Sequence, residues 1–180
     1  MNYDDLIQNW HIKASEEDYF SKFVFEYLAF IAFLRKKKFT TCRNDREAIQ
    51  YLKRDVEIKR VYLAKIQNEQ KLHNAWDNIV AEFRESRLGN ASGSSDEVEE
   101  IKWWNCSHLQ LQSQTPKEKN KTKGVIYGMG DWENMVEFWY TIRNNLFHGA
   151  KDPENQRDQI IVKNGYIALR ELVEILLAGD

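Results

Sequence analysis

Three side chains suited to phosphate chemistry lie close together in residues 141–151, TIRNNLFHGAK: Arg143, Asn144 and His148. At about 100° per residue, Asn144 and His148 lie one above the other on one helix face, and Arg143 lies roughly a quarter turn aside. The planar guanidinium of arginine binds phosphate oxygens, and histidine is the side chain best matched to proton transfer near neutral pH. Because phosphodiester cleavage needs both functions, these three residues are candidates for a catalytic site.

The apolar neighbours of these residues are expected to face the core of the protein. They are Ile142, Leu146 and Phe147. This arrangement would place the three polar side chains at the border of the core, partly desolvated but able to reach a ligand.

The same residues also have a purely structural interpretation. His148 and Gly149 could form an ordinary helix ending in which the histidine caps the last carbonyl groups. Arg143 could form an ion pair with an acidic residue of the last helix, such as Asp158 or Glu171. The two interpretations differ in whether the polar side chains are left free to bind a ligand.

Apolar periodicity and capping residues predict an all-α protein, an up-and-down bundle of about five helices. The predicted helices cover residues 16–37, 45–67, 71–86, 131–148 and 157–178. Asn44 and Glu47 have the spacing of a capping box, Asp131 is a good N-cap residue, and Gly165 is a weak point inside the last helix. With 180 residues, 42% of them hydrophobic, we expect a single domain.

The first predicted helix is apolar over nearly its whole circumference from Phe23 to Leu34. This stretch is shorter than the roughly 20 residues that are needed to cross a bilayer, and it contains Glu26. We therefore expect a core helix that is surrounded by other helices, and no contact with a membrane.

Residues 87–130 form a predicted long, irregular insertion before the penultimate helix. Residues 87–100, RLGNASGSSDEVEE, are small, polar and acidic, so we expect a flexible loop that can be shortened with little loss of stability. Trp103 and Trp104 could stack on nucleic-acid bases, or they could pack in the core or at a dimer interface.

The charge balance excludes a protein with an overall positive field. There are 26 basic and 28 acidic residues, so any contact with nucleic acid has to be local. Lys36–Lys38 and Lys117–Lys123 could attract RNA phosphates, or they could be ordinary solvated ends. Cys42 and Cys106 have the spacing of neither a disulfide framework nor a zinc site, and the N-terminus does not resemble a signal peptide. These features predict a cytoplasmic protein.

The segment RNNLFHG resembles the motif of the HEPN superfamily (higher eukaryotes and prokaryotes nucleotide-binding), in which an arginine is followed by a polar residue and then by a histidine. Arg143, Asn144 and His148 match this motif in order. FSKFVFEYLAFIAFL resembles the aromatic-rich first helix of stand-alone bacterial members, and RDQIIVKNGYIALRELVEIL resembles their final helix. Residues 87–130 have no counterpart in this pattern.

This resemblance implies a metal-independent endoribonuclease with RNA as its substrate. It also suggests the toxin of a toxin-antitoxin or abortive-infection system, with an antitoxin protein as a candidate partner. Attack by the RNA 2′-hydroxyl needs a base, an acid and positive charge at the phosphorane. His148 and Arg143 of two protomers would supply these groups, and Asn144 would orient the histidine or bind a phosphate oxygen. No cofactor or metal is expected, because the other histidines are scattered along the chain: His11, His73 and His108.

The resemblance further implies a homodimer in which two copies of the motif face each other across a cleft. One protomer offers a single histidine at the site, which is too few for acid and base together. We therefore expect the ends of the two penultimate helices to meet at a two-fold axis. The alternative is a non-catalytic nucleotide-binding or protein-interaction module on the same helical scaffold. The intact motif favours the enzyme, since a degenerate motif would have favoured the module.

Overall fold

The computed structural model describes residues 2–14, 18–85, 126 and 128–179. Within these residues the chain is all-α, as predicted from the sequence, and contains no β-strand. The helices in this part of the chain are α1 (Tyr3–Lys13), α2 (Tyr19–Phe33), α3 (Asp45–Arg54), α4 (Val56–Asn68), α5 (Gln70–Glu85), α6 (Trp132–Phe147) and α7 (Gln156–Ala178). The end of α2 continues into a π-helical turn, Leu34–Lys38.

The N-terminal helix α1 is not among the helices predicted from the sequence. Its start is capped by Asn2, whose side chain accepts a hydrogen bond from the backbone N–H of Asp4 at 3.1 Å. Its apolar side is narrow: Ile7 is 1% exposed, and Trp10 stacks on Phe25 of α2 with 5.4 Å between ring centroids. Packing against α2, rather than a strong apolar period of its own, therefore stabilises α1.

The predicted helix 45–67 consists of two helices, α3 and α4, because Asp55 interrupts it. The backbone of Asp55 is extended, with φ −72° and ψ 103°, and its side chain accepts a hydrogen bond from the N–H of Ile58 at 2.9 Å. Asn44 caps α3 in the same way by accepting from the N–H of Glu47 at 2.9 Å, as its spacing predicts. The separate helix predicted at 71–86 is confirmed as α5.

An aromatic cluster around Trp139 fixes α6 against its neighbours. The Trp139 ring lies 6.3 Å from Phe30 of α2, 5.8 Å from Tyr62 of α4 and 5.4 Å from Trp76 of α5, measured between centroids. Its indole N–H donates a hydrogen bond to the carbonyl oxygen of Gly165 in α7 at 3.2 Å. Four helices therefore set the position of α6 and of the candidate site at its end.

Helix α2 lies at the centre of the described bundle, in contact with α1, α6 and α7. This arrangement confirms the expectation that other helices surround it. Gly165 lets α7 pack closely on α6 and α2, because a Cβ atom there would lie 3.2 Å from the Phe138 ring and 3.4 Å from the Phe23 ring. The glycine that weakens α7 locally is thus needed for the packing of three helices.

Most of the predicted insertion 87–130 lies outside the described residues. The same holds for the predicted flexible loop 87–100, for Trp103 and Trp104, and for Lys117–Lys123. Where the description resumes, Ile126 is fully buried and residues 128–130 form the turn that leads into α6. None of the described helices is long and apolar enough to span a membrane.

Candidate active site

Helix α6 ends in a glycine cap that determines where the candidate site residues lie. Gly149 has φ +66°, a conformation that glycine adopts without strain. Its N–H donates to the carbonyl oxygen of Leu146 at 3.1 Å, and the N–H of Ala150 donates to that of Asn145 at 2.8 Å. These two bonds form a Schellman motif, which confirms the predicted cap at Gly149 and leaves His148 as the C-cap residue.

The side chain of His148 is exposed at the end of α6. No other described residue forms a hydrogen bond or an ion pair with its imidazole. Backbone N–H groups already satisfy the carbonyls of Leu146 and Asn145, so the imidazole is not used as a cap. The helix ending is thus an ordinary one, but the imidazole of His148 is not seen to cap a carbonyl group of a described residue.

The guanidinium of Arg143 is held in place by one hydrogen bond and two aromatic rings. Its Nη1 donates to Oδ1 of Asn144 at 3.0 Å. Its Cζ lies 4.6 Å from the centroid of the Phe147 ring and 5.9 Å from that of Tyr27. A guanidinium that stacks on rings keeps most of its N–H donors at its edge, where a phosphate can reach them.

The alternative in which Arg143 pairs with an acidic residue of α7 is not observed. Asp158 binds Lys151, and Glu171 binds Lys65. Among the residues that the structure describes, no carboxylate lies within ion-pair distance of Arg143. Its positive charge is therefore not neutralised by a described acidic side chain.

Phe147 does not face the core, contrary to the expectation from the sequence. Its side chain is 58% exposed, whereas Ile142 on the opposite side of α6 is fully buried. Around the helix, Phe147 lies close to Arg143, whose guanidinium lies over its ring. The helical period correctly predicts that Ile142 faces inward, but the predicted apolar face wrongly included Phe147.

An apolar groove of about 310 Å³ lies next to the candidate site. Phe20, Ser21, Val24 and Phe25 of α2 line one side, and Leu146 and Phe147 of α6 line the other. An exposed aromatic ring beside an apolar groove is typical of a surface that contacts another protein.

Beneath Arg143, Tyr27 has a buried hydroxyl group without a hydrogen-bond partner in the described part of the protein. The residue is 2% exposed. Burial raises the pKa of Tyr27 far above its ordinary value, while the charge of Arg143 acts in the opposite direction. The hydroxyl therefore keeps its proton and is a potential donor below the site. Sequence reasoning did not identify Tyr27, although it is the one tyrosine inside an apolar run of phenylalanines.

Two basic side chains of α3 contact α6 one to two turns before Arg143. Glu137 of α6, whose side chain is 8% exposed, binds both Arg46 and Lys53 of α3. The Cζ of Arg46 lies 5.2 Å from the centroid of the Tyr140 ring. Sequence reasoning also missed this group, because it joins residues that are far apart in the chain.

The lysines at the end of α2 are engaged with nearby side chains. Lys37 binds Asp4 at 2.6 Å, Lys38 lies 3.6 Å from Asp55, and Lys36 lies over the Tyr3 ring. At 1.5 Å per residue they are roughly 20 Å from the apolar groove at the start of α2. This geometry fits a solvated helix end better than a part of the candidate site.

Within the described residues, no group of three or more His, Cys, Asp or Glu side chains could hold a metal ion. Comparison of the chain with family models, with curated proteins and with solved structures gives no match.

Proposed function

We propose that this protein is a metal-independent endoribonuclease and a member of the HEPN superfamily that it resembles. One observation carries the proposal: Arg143 and His148 both lie in the last turns of α6, five residues apart, and neither is bound to a described carboxylate. A group that transfers protons and a guanidinium that binds phosphate are the minimum set of side chains for phosphodiester cleavage without a metal.

In the proposed reaction, the RNA 2′-hydroxyl attacks the adjacent phosphorus atom. One His148 accepts the 2′-hydroxyl proton, while a second histidine donates a proton to the departing 5′-oxygen. Arg143 binds the non-bridging oxygens, on which negative charge accumulates, and Asn144 holds the guanidinium in place. The bond from phosphorus to the 5′-oxygen breaks, which leaves a 2′,3′-cyclic phosphate and a 5′-hydroxyl.

The second histidine comes from a second protomer in this proposal. Each chain has one histidine at the site, and the apolar groove with the exposed Phe147 ring lies directly beside it. Burying these surfaces in a two-fold dimer would bring the two α6 ends together. On the strength of the resemblance, we further propose that RNA cleavage makes the protein a toxin whose partner is an antitoxin.

The test is to incubate the purified protein with total RNA in the presence of EDTA and to map the new ends. We expect cleavage that resists the chelator, with 5′-hydroxyl ends and 2′,3′-cyclic phosphate or 3′-phosphate ends. Ends with a 5′-phosphate, or activity abolished by EDTA, would refute the mechanism, because they indicate a metal-activated water. RNA binding without any cleavage would instead identify a non-catalytic module.

A further inference from the structure

The outer face of α6 is a narrow ribbon that ends at His148. Most side chains of this helix are buried. Those that are not buried are Glu133, Tyr140, Arg143, Asn144, Leu146 and Phe147. Tyr140 lies three, four and seven residues before Arg143, Asn144 and Phe147, so these four side chains share one side of the helix.

Two guanidinium groups are stacked on aromatic rings along this ribbon. Arg143 lies 4.6 Å from the Phe147 ring, and Arg46, which comes from α3, lies 5.2 Å from the Tyr140 ring. Because Tyr140 and Phe147 are seven residues apart, the two pairs are separated by about 10 Å along the helix axis. A single strand of RNA that follows the ribbon would therefore meet both pairs.

The Arg46 guanidinium is held by one hydrogen bond but remains partly exposed to solvent. Its Nη1 binds the carboxylate of Glu137, yet its side chain is 46% exposed. Lys53 binds the same carboxylate, so two positive charges face one negative charge and a net positive charge remains. Arginine has five N–H donors, and the carboxylate uses one of those of Arg46. Joining α3 to α6 requires neither this exposure nor the contact with Tyr140, since Lys53 already joins the two helices.

We propose that Arg46 and Tyr140 form a second nucleotide-binding position, which holds a nucleotide of single-stranded RNA next to the one cleaved at His148. Arg46 binds the phosphate, and the Tyr140 ring with its guanidinium supports the base by stacking. This inference rests on the proposed function for the identity of the ligand. It assigns Arg46 and Tyr140 to RNA binding, not to proton transfer.

The experiment measures binding of a fluorescently labelled single-stranded RNA oligonucleotide to the His148→Ala protein, which removes the proposed cleavage. Tyr140→Leu should weaken binding by about 5- to 100-fold, while Tyr140→Phe keeps the ring and should bind normally. Arg46→Gln should weaken binding and reduce the slope of log affinity against log salt by about 0.7. The matched control is Arg60→Gln, which removes an arginine that is paired with Glu57 on the exposed side of α4.

The inference is overturned if Arg46→Gln and Tyr140→Leu, folded as judged by circular dichroism and thermal melting, bind RNA like Arg60→Gln. EDTA-resistant cleavage with that result would leave the proposed nuclease in place. RNA binding that depends on Arg46 and Tyr140, combined with no cleavage by the wild type, would overturn the nuclease alone. Absence of RNA binding by the wild type would overturn both.

Discussion

Arg143 donates a hydrogen bond from its guanidinium to the side-chain oxygen of Asn144 at 3.0 Å. The two residues are adjacent in sequence and point about 100° apart around α6, so the long arginine side chain has to curve toward Asn144. This contact brings the guanidinium to the face of α6 that leads to His148. It also uses the amide oxygen of Asn144 and leaves its NH₂ group for another acceptor, such as a phosphate oxygen.

For RNA binding and cleavage, we expect the bidentate geometry of the Arg143 guanidinium to matter as much as its positive charge. Arg143→Ala should weaken both RNA binding and the cleavage rate, and Arg143→Lys should restore little, because an ammonium group cannot form two parallel hydrogen bonds to a phosphate. Dissociation constants and kcat/KM for one RNA substrate measure this. Arg60→Lys is the control, because Arg60 is exposed on α4 and pairs with Glu57 rather than with a residue of the motif. An Arg143→Lys protein with wild-type kinetics would rule out the bidentate contact.

Replacing the exposed aromatic ring beside the site by a charged side chain should separate the protomers of the proposed dimer. Phe147 is 58% exposed in the isolated chain, so Phe147→Asp should leave the protomer folded but produce a monomer that does not cleave RNA. Static light scattering at micromolar concentration measures the mass. Val56→Asp is a suitable control, because Val56 is 76% exposed and lies at the start of α4. A wild-type monomer, or a dimer that tolerates Phe147→Asp without change, would contradict this arrangement.

Burial of Glu26 predicts a pH dependence of stability. This carboxylate is fully buried; Oε1 lies 2.6 Å from Nδ1 of His11, and Oε2 lies 3.9 Å from Nη1 of Arg170. Burial raises the pKa of Glu26, while His11 and Arg170 act in the opposite direction. A raised pKa in the folded state means that the contribution of Glu26 to stability is present at low pH and is lost as pH rises.

The comparison is with Glu26→Gln, which cannot ionise. The unfolding free energy of the wild type minus that of Glu26→Gln should decrease as pH rises above the ordinary glutamate pKa of about 4.3. Urea unfolding at several pH values between about 4 and 7 measures this difference. A difference that grows with pH would mean that the ion pairs outweigh the cost of burial.

The cap at Gly149 should be sensitive to a side chain. With φ at +66°, Gly149→Ala places a Cβ atom in a strained backbone conformation, at a cost of about 1 kcal/mol, and should lower the melting temperature by about 2–4 °C. Gly149→Asn should cost less. The control is Gly130→Ala, because a Cβ atom meets nothing within 4 Å at either glycine and only Gly149 of the two has a positive φ. Equal melting temperatures for Gly149→Ala and Gly130→Ala would show that the cap is not strained.

The sequence predicted α6 well because its local signals agree. Asp131 precedes the helix, an apolar stripe runs through it, and Gly149 follows it, although the side chain of Asp131 makes no capping bond to the helix backbone. The break at Asp55 was missed because apolar residues continue at helical spacing on both sides of it. Helix α1 was missed because its few apolar side chains are stabilised by contact with α2, which local periodicity does not report.

The candidate site was predictable only where its residues are close in sequence. Arg143, Asn144 and His148 lie within two turns of one helix, so their spacing alone places them together. Arg46 reaches Glu137 across 91 residues, and Tyr27 approaches Arg143 from another helix. Tertiary packing decides such contacts, and a single sequence contains no local signal for them.

The most direct test of the account compares His148→Ala with His73→Ala in RNA cleavage with EDTA present. His73 is the matched control, a partly exposed histidine on α5 that lies 3.3 Å from Asp77. If His148 transfers protons, its removal should lower the cleavage rate by about 10²- to 10⁴-fold with little change in RNA affinity or melting temperature. His73→Ala should cleave like the wild type. A His148→Ala protein that cleaves RNA at the wild-type rate would contradict the proposed mechanism and leave His148 without a catalytic role.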